Sequence, residues 1–175
     1  MSDKRFLFAL TGAIILAACT ETPTAQTAPA ASAPTAKPAK TAAATDPACT
    51  EVFTGNNSMV YDKSELTINK SKCKEFTVVV RNIGHMPRHS RGHNFVIAKD
   101  SDEKSILAEG VSFGAKYDFL KPDDQRIIAY TQLAGGGEEK SVTFPTDRFV
   151  SGQTYVYFCS FLGHRKMRGK VNIIE

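Results

Sequence analysis

An abrupt change of composition divides this sequence and limits how much of it can fold. Of the 28 residues in the segment 20–47, 10 are Ala, 7 are Thr and 5 are Pro, and none is a large apolar residue. Such a segment cannot bury enough apolar surface to fold, so the composition predicts a disordered tether. A spacer whose only requirement is solubility would explain the same composition equally well. The 128 residues of the segment 48–175 remain, enough for one domain with a well-buried core.

The segment 1–18 has the pattern of an export signal. Two basic residues precede the apolar run 6–18, which is too short to span a bilayer as a helix. The run ends in Leu16-Ala17-Ala18-Cys19, which resembles a bacterial lipoprotein cleavage site. The resemblance implies a signal peptide over 1–18 and a lipidated Cys19 heading the tether 19–47. Thr20 follows Cys19 at the position where an aspartate would signal retention in the inner membrane. The resemblance therefore also implies an anchor in the outer membrane, facing the periplasm or the cell surface. A plain secretory signal beside a chance cysteine is the alternative.

The charge of the chain argues against nucleic acid as a partner. The chain has 22 Lys and Arg residues and 18 Asp and Glu residues, which gives a net charge of +4. This charge is small, and the basic residues are scattered along the sequence. No zinc-finger spacing, RNA-binding motif or long basic run occurs in the sequence. No arrangement typical of a substrate pocket with an acid–base pair occurs either, so we do not expect an enzyme.

The segment 48–175 is dominated by short strand patterns separated by Gly, Pro, Asn and Asp. Six apolar, β-branched segments predict strands at 76–80, 94–98, 126–131, 141–144, 155–159 and 170–174. The stretch 100–119 interrupts this rhythm, and a helix start near Ser101 predicts one short helical insertion. The pattern predicts an all-β fold, an antiparallel Greek-key β-sandwich with that insertion.

The cysteines of this segment fall into a spaced pair and a single residue. Cys49 and Cys73 lie 24 positions apart, and in an exported, oxidising compartment thiols tend to pair. Closing such a loop contributes on the order of 3 kcal/mol in the chain-entropy model. Two free thiols fit that compartment poorly. Cys159 is then left unpaired and requires another explanation.

The sequence around Cys159 supplies that explanation. His164 and Met167 follow it within nine residues, after one predicted strand and before another, and His93 stands at the start of a third. Two imidazoles, a thiolate and a weak thioether are the donors of a blue-copper electron-transfer centre. Zinc gains little from a thioether, and iron–sulfur clusters need more than one thiolate. Singly, each residue has an ordinary structural explanation; together they predict one copper site.

The segment 49–175 resembles azurins, members of the cupredoxin family, and the whole precursor resembles lipid-modified azurins. The resemblance is carried by Gly92-His93-Asn94, by the segments 117–124, 126–129 and 141–144, and by Tyr157-Phe-Cys-Ser-Phe161 with Gly163-His164. It implies a type 1 copper ion held by His93, Cys159, His164 and Met167, with the Gly92 carbonyl as a distant fifth contact. It also implies that Asn94 ties the His93 loop to Cys159 and Ser160, with Phe161 beside them. Cys49 and Cys73 match the disulfide of the family.

Three departures from the azurin pattern are expected to matter. Two residues rather than three separate His164 from Met167, which places the axial contact in question. Asn82 stands where azurins have a histidine. The third departure concerns His164, whose edge is exposed by the same resemblance: charged residues surround that edge, where azurins have apolar ones. By resemblance, we expect partner docking there by Met59, Met86, Arg88, Arg91, Phe161, Leu162, Arg165 and Lys166.

The sequence thus predicts a monomeric, lipid-anchored blue-copper protein that carries single electrons between periplasmic redox proteins. A c-type cytochrome, a nitrite reductase or a peroxidase are candidate partners. A lipoprotein that stores or delivers copper is one alternative, although it should carry methionine-rich clusters and the chain has only 4 Met. An interaction lipoprotein with a vestigial, non-shuttling site is the other.

Overall fold

The computed structural model describes residues 46–175, which form eight strands and two short α-helices. The predicted signal peptide, Cys19 and all but the last two residues of the predicted tether lie outside the described residues. The strands are β1 (Thr50–Gly55), β2 (Glu65–Asn69), β3 (Glu75–Asn82), β4 (Val96–Lys99), β5 (Ile127–Tyr130), β6 (Glu139–Pro145), β7 (Tyr155–Phe158) and β8 (Arg168–Ile174). The helices are α1 (Arg88–Arg91) and α2 (Asp100–Gly110).

The strands form two sheets, as predicted for a sandwich. One sheet has the order β1-β3-β6 and the other the order β2-β8-β7-β4-β5. The six predicted strands correspond to β3 to β8, whereas β1 and β2 were not predicted. Both lie at sheet edges, where one flank is unpaired and polar residues are tolerated. Their mixed sequences, Thr-Glu-Val-Phe-Thr-Gly and Glu-Leu-Thr-Ile-Asn, therefore lack the long β-branched run that marks a central strand.

The prediction of a purely antiparallel sandwich is wrong for two of the strand pairs. β1 runs parallel to β3, and β2 runs parallel to β8. The chain passes from β1 in one sheet to β2 in the other and then back to β3. Each of these two crossings reverses the chain direction, so β1 and β3 run the same way. The four other pairings among the described strands are antiparallel.

Alternation along the central strands divides the core into two layers. Phe95, Ile97 and Tyr157 point into the space between the sheets, where they pack with Phe53 and Val80. The alternate residues of β4 and β7 point to the other face, where Val96 and Phe158 pack with Ile106 of α2. Because both faces of β7 are covered, all four of its residues are buried. This explains why its sequence is continuously apolar.

The predicted helical insertion is α2, followed by two single turns of 3₁₀-helix at Val111–Phe113 and Ala115–Tyr117. Asp100, Asp102 and Glu103 occupy the first turn of α2, where negative charge is favourable to the helix dipole. Within residues 46–175, no helix is long and apolar enough to cross a membrane. The insertion covers the outer face of β4 and β7, the two strands that lead to the predicted copper donors.

Cys49 and Cys73 form the predicted disulfide. It joins the residue before β1 to the loop that precedes β3, where the two strands begin side by side. Cys159 is the free cysteine of the described residues, and it is buried.

Candidate metal centre

Main-chain hydrogen bonds fix the backbone of each predicted copper donor. His93 pairs with Ala134 through an N–H···O bond of 3.0 Å in one direction and 2.7 Å in the other. Cys159 directly follows β7, and its N–H donates to the carbonyl oxygen of Met167 at 2.9 Å. The Met167 N–H in turn donates to the carbonyl oxygen of His164 at 2.8 Å. The short loop is therefore a closed turn that holds its three donor residues together.

The donor atoms converge at one buried point at this end of the sandwich. Nδ1 of His93 lies 3.3 Å from Nδ1 of His164, and Sγ of Cys159 lies 3.6 Å from that same nitrogen. One ligand atom from each of the three residues fits within a mutual separation of 4.8 Å. His93 is fully buried, and Cys159 and His164 each retain 3% of their exposure. His164, which we expected to present an exposed edge, is therefore nearly covered.

The hydrogen bonding of His93 leaves its Nδ1 free to bind a metal. Its Nε2 lies 2.9 Å from the carbonyl oxygen of Asn56, an acceptor that requires the proton to be on Nε2. Nδ1 then carries a lone pair directed at His164 and Cys159. A carbonyl on the far ring nitrogen is the usual arrangement that orients a metal-binding histidine.

Burial keeps both imidazoles neutral and the thiol protonated unless a cation is present. Burial lowers the pKa of His164 to about 4, with further lowering by the neighbouring His93 and Arg91. Burial also lowers the pKa of His93, which the Asn56 carbonyl counteracts. For Cys159, burial raises the pKa to about 11, although hydrogen bonds from the backbone N–H groups of Asn94 and Phe161 oppose the rise. A bound metal ion would supply the positive charge that this thiolate lacks.

Met167 stays at the site despite the shortened loop. Its side chain is fully buried, and its methyl carbon lies 2.9 Å from the point where a Cβ on Gly55 would stand. The His93 ring lies 2.8 Å from the same point, so Met167 and His93 are neighbours. With two imidazoles, a thiol and a thioether in one dry site, the donors suit copper, which accepts nitrogen and soft sulfur together.

Gly55 is a site residue that the sequence did not indicate. It ends β1, and any side chain there would collide with both His93 and Met167. A glycine before Asn56-Asn57 has the composition of an ordinary turn, so no signal in the sequence distinguishes it. The absence of a side chain at Gly55 makes room for a histidine and a methionine that come from distant segments.

Gly92 is buried directly before His93. A Cβ on Gly92 would stand 2.5 Å from the carbonyl oxygen of Arg88, so the close approach of α1 requires glycine. A hydrogen bond involving the Gly92 backbone favours protonation of His93 and raises its pKa. A contact between the Gly92 carbonyl and a metal ion stays a prediction.

Asn94 links the His93 segment to the loop that follows Cys159 through hydrogen bonds. Its side-chain oxygen accepts a hydrogen bond from the Ser160 N–H at 2.9 Å, and its Nδ2 donates to Ser160 Oγ at 2.8 Å. The Ser160 hydroxyl also donates to the carbonyl oxygen of Asp118. All three residues are buried, so this network is shielded from competing water.

Asp118 and Phe119 form a strained corner that the sequence did not reveal. Both have left-handed backbone angles, with φ of 56° and 53°, which are costly for residues other than glycine. The Asp118 carboxylate holds the corner by accepting hydrogen bonds from the Leu133 N–H at 2.9 Å and Arg88 Nη2 at 2.6 Å. The corner places Phe119 against Phe161, with ring centroids 4.9 Å apart.

An aromatic contact leads from the donors to the surface. The Phe161 ring stacks on the His164 ring at a centroid distance of 4.6 Å and an angle of 26°. Leu162 follows it and is 64% exposed. Arg165 and Lys166 are exposed beside it, whereas Met59, Met86 and Arg91 are half-buried.

Arg88, one of the predicted docking residues, has a different position. Its guanidinium forms an ion pair with Asp118 and donates to the carbonyl oxygen of Ala115 at 3.2 Å. The charge of Arg88 is thus neutralised by Asp118, the residue that holds the strained corner. Arg91 instead donates to the carbonyl oxygen of Asn57 at 2.9 Å, and its charge acts on both donor imidazoles.

Comparisons with known proteins agree with this geometry. Residues 48–174 match the family described as "Copper binding proteins, plastocyanin/azurin family". Azurin-1 of Alcaligenes xylosoxydans xylosoxydans is 39% identical over 128 residues, which cover 73% of this chain and 98% of azurin-1. Azurin of Pseudomonas aeruginosa is 38% identical over 126 residues, which cover 71% of this chain and 98% of that azurin.

A solved structure of the azurin Az-iso2 from the obligate methylotroph Methylomonas sp. strain J superimposes with a TM-score of 0.69. It is 38% identical, and the match covers 73% of this chain and 98% of that one. The predicted fold class and the predicted resemblance of residues 49–175 to azurins are both confirmed. The chain belongs to the plastocyanin/azurin family of copper-binding proteins, as an azurin-type cupredoxin.

Proposed function

We propose that this protein is a one-electron carrier whose type 1 copper ion is held by His93, Cys159 and His164, with Met167 and the Gly92 carbonyl as weak axial contacts. The observation that carries the proposal is the convergence of two imidazole nitrogens and one thiol in a buried site. A copper ion in such a site alternates between Cu(I) and Cu(II) and so stores and releases one electron.

The residues around the donors favour transfer without rearrangement. His93 is held by Ala134 and Asn56, and the Cys159 loop is held by Asn94 and its own turn. A rigid donor set costs little reorganisation when the charge of the ion changes. Burial excludes water that would otherwise bind the metal, which suits a carrier rather than an enzyme.

Storage or delivery of copper is the alternative function, and two observations disfavour it. A delivery protein needs donors that a partner can reach, yet His93 and Met167 are fully buried and Cys159 is nearly so. The chain also has only 4 Met, of which Met59 and Met86 are half-buried and Met167 is fully buried. Tight burial of the donors favours retention of the ion.

Absorption and EPR spectra of the copper-loaded chain test the carrier proposal. We expect an intense blue colour from charge transfer between Cys159 and Cu(II), and its loss in Cys159→Ser. His164→Gly should open one ligand position that external imidazole refills, restoring the colour. Ser71→Ala, on an exposed loop outside the site, is the matched control and should stay blue. A wild-type spectrum in Cys159→Ser would disprove the ligand assignment.

We also propose that the carrier is lipid-anchored at Cys19 and faces the periplasm from the outer membrane. The export signal and the Leu16-Ala17-Ala18-Cys19 sequence support this placement. Its partners would be periplasmic redox proteins such as a c-type cytochrome, a nitrite reductase or a peroxidase. Labelling with a fatty-acid analogue should mark the wild type and not Cys19→Ala. Equal labelling of both would refute the anchor.

A further inference from the structure

The charged residues around His164 differ in whether the fold already neutralises them. Arg88 is paired with Asp118, and Arg168 is paired with Asp100 and Glu103 at 2.5 and 2.7 Å. Arg91, Arg165 and Lys166 form no ion pair within residues 46–175. Three cations are therefore unpaired at this end of the sandwich, although the two carboxylates that share Arg168 leave one negative charge beside them.

These three charges lie on the two segments that carry the predicted copper donors His93 and His164. Arg165 and Lys166 directly follow His164 and are exposed. Arg91 donates to the carbonyl oxygen of Asn57, next to the Asn56 carbonyl that orients His93. The apolar part of this face is Phe161, which stacks on His164, and Leu162, which is 64% exposed.

We propose that this face, formed by Phe161, Leu162, Arg91, Arg165 and Lys166, docks a redox protein whose cofactor edge is ringed by carboxylates. The proposal rests on the proposed electron-carrier function and names the chemistry of its partner. Phe161 and Leu162 supply a small dry contact over the His164 ring. The cations steer an acidic surface toward it, which raises the association rate more than the final affinity.

An anionic membrane is a poorer fit to the same face. Segments that bind acidic lipids by charge carry clusters of roughly 4–8 basic residues. This face has three free cations, one of them half-buried and donating to the Asn57 carbonyl. The aromatic contact with a copper donor is also better explained by electron transfer than by lipid binding.

Small oxidants of opposite charge test the steering directly. The reduced, copper-loaded full chain, in neutral detergent, is mixed in a stopped-flow instrument with ferricyanide or with tris(phenanthroline)cobalt(III). Each oxidant takes one electron from Cu(I), and the return of blue absorbance gives the rate. The rate with anionic ferricyanide should fall several-fold as salt rises from about 0.01 to 0.15 M, since the Debye length shrinks from roughly 30 to 8 Å. The rate with the cationic cobalt complex should rise or stay flat.

A charge reversal and a matched control locate the effect. In Arg165→Glu/Lys166→Glu, the salt dependence with ferricyanide should vanish or invert. Lys72→Glu/Lys74→Glu changes the net charge equally at exposed residues before the start of β3. They lie beyond the far end of that strand, whose seven residue steps span roughly 23 Å. This control should keep the wild-type dependence. Arg91 is left unchanged because it also contacts the loop that orients His93.

A protein partner of defined charge completes the experiment. A lysine-rich c-type cytochrome and the same cytochrome with its lysines succinylated differ mainly in surface charge. At low salt we expect the succinylated form to react at least ten-fold faster, and Arg165→Glu/Lys166→Glu to abolish the difference. Rates that ignore salt, partner charge and the reversal would overturn the proposal while a blue spectrum left the copper assignment intact.

Two further outcomes keep the interpretations separate. Loss of binding to phosphatidylglycerol vesicles in the reversal variant, with unchanged electron-transfer rates, would assign these charges to a membrane surface and overturn the proposal. A colourless chain that reacts with neither oxidant would instead overturn the electron-carrier function itself.

Discussion

Replacing Gly55 by alanine should disturb the metal centre although Gly55 donates nothing to it. The new methyl group would stand 2.8 Å from Cδ2 of His93 and 2.9 Å from the methyl carbon of Met167. Both separations are shorter than carbon atoms tolerate, so at least one side chain must move. His93 is held through Nε2 by Asn56, whereas Met167 ends in a flexible methyl, so we expect Met167 to move.

The expected cost follows from two opposed effects. Overpacking of a tight core costs about 1–3 kcal/mol. Replacing glycine by alanine in extended backbone returns about 0.4–1 kcal/mol by restricting the unfolded chain. The net loss should be on the order of 1–2 kcal/mol, which lowers the Tm by about 4 °C per kcal/mol for a domain of this size. The copper absorption and EPR parameters should shift as well, because the thioether is displaced.

Thermal unfolding and the copper spectrum of the same preparations measure both effects. Gly152→Ala is the control: its φ of 79° disfavours alanine, but nothing lies within 4 Å of the new methyl. It should lower the Tm and leave the spectrum unchanged. A Gly55→Ala protein with the wild-type Tm and spectrum would show that the predicted collision does not occur.

Two other predictions concern Met167 and pH. Met167→Leu should stay blue and cost less than about 1.5 kcal/mol of stability, because the two side chains are similar in volume. Its reduction potential in cyclic voltammetry should rise as a donor is lost, and an unchanged potential would exclude Met167 from the copper. For the copper-free chain, stability should fall as the pH drops from about 6.5 toward 4, because the unfolded state protonates His93 and His164 more readily than the folded state does. Urea unfolding between pH 7 and 5 measures this loss; His164→Gly should reduce it, and equal slopes would refute the assignment.

The residues that we propose as donors could be recognised in the sequence because their signal is local. Cys159, His164 and Met167 lie within nine residues between two strands that are apolar enough to recognise. The spacing alone brings the thiol, imidazole and thioether near one another, and the turn that closes them is short. His93 was predicted in the same way, as a histidine at the start of a strand that leads to this edge.

Residues whose role depends on contacts with segments far away in the sequence could not be predicted. Gly55 matters because His93 and Met167 meet beside it, and nothing next to Gly55 in the sequence indicates that meeting. Arg88 and Arg91 look equivalent in sequence, yet only Arg88 reaches Asp118, 30 positions away. The parallel pairing of β1 with β3 likewise follows from crossings between sheets, which local patterns do not encode.

The position of the disulfide would have a mechanical consequence under the membrane attachment at Cys19 that we propose. β1 begins at Thr50, next to the disulfide-bonded Cys49, and ends at Gly55 beside the metal donors, a distance of roughly 17 Å. Tension on the chain before Asp46 would therefore enter the domain at a covalent crosslink to the start of β3. The turn that holds Cys159, His164 and Met167 lies at the opposite end and would carry none of that load. Thermal motion of the membrane could then swing the domain without altering the spacing of its copper donors.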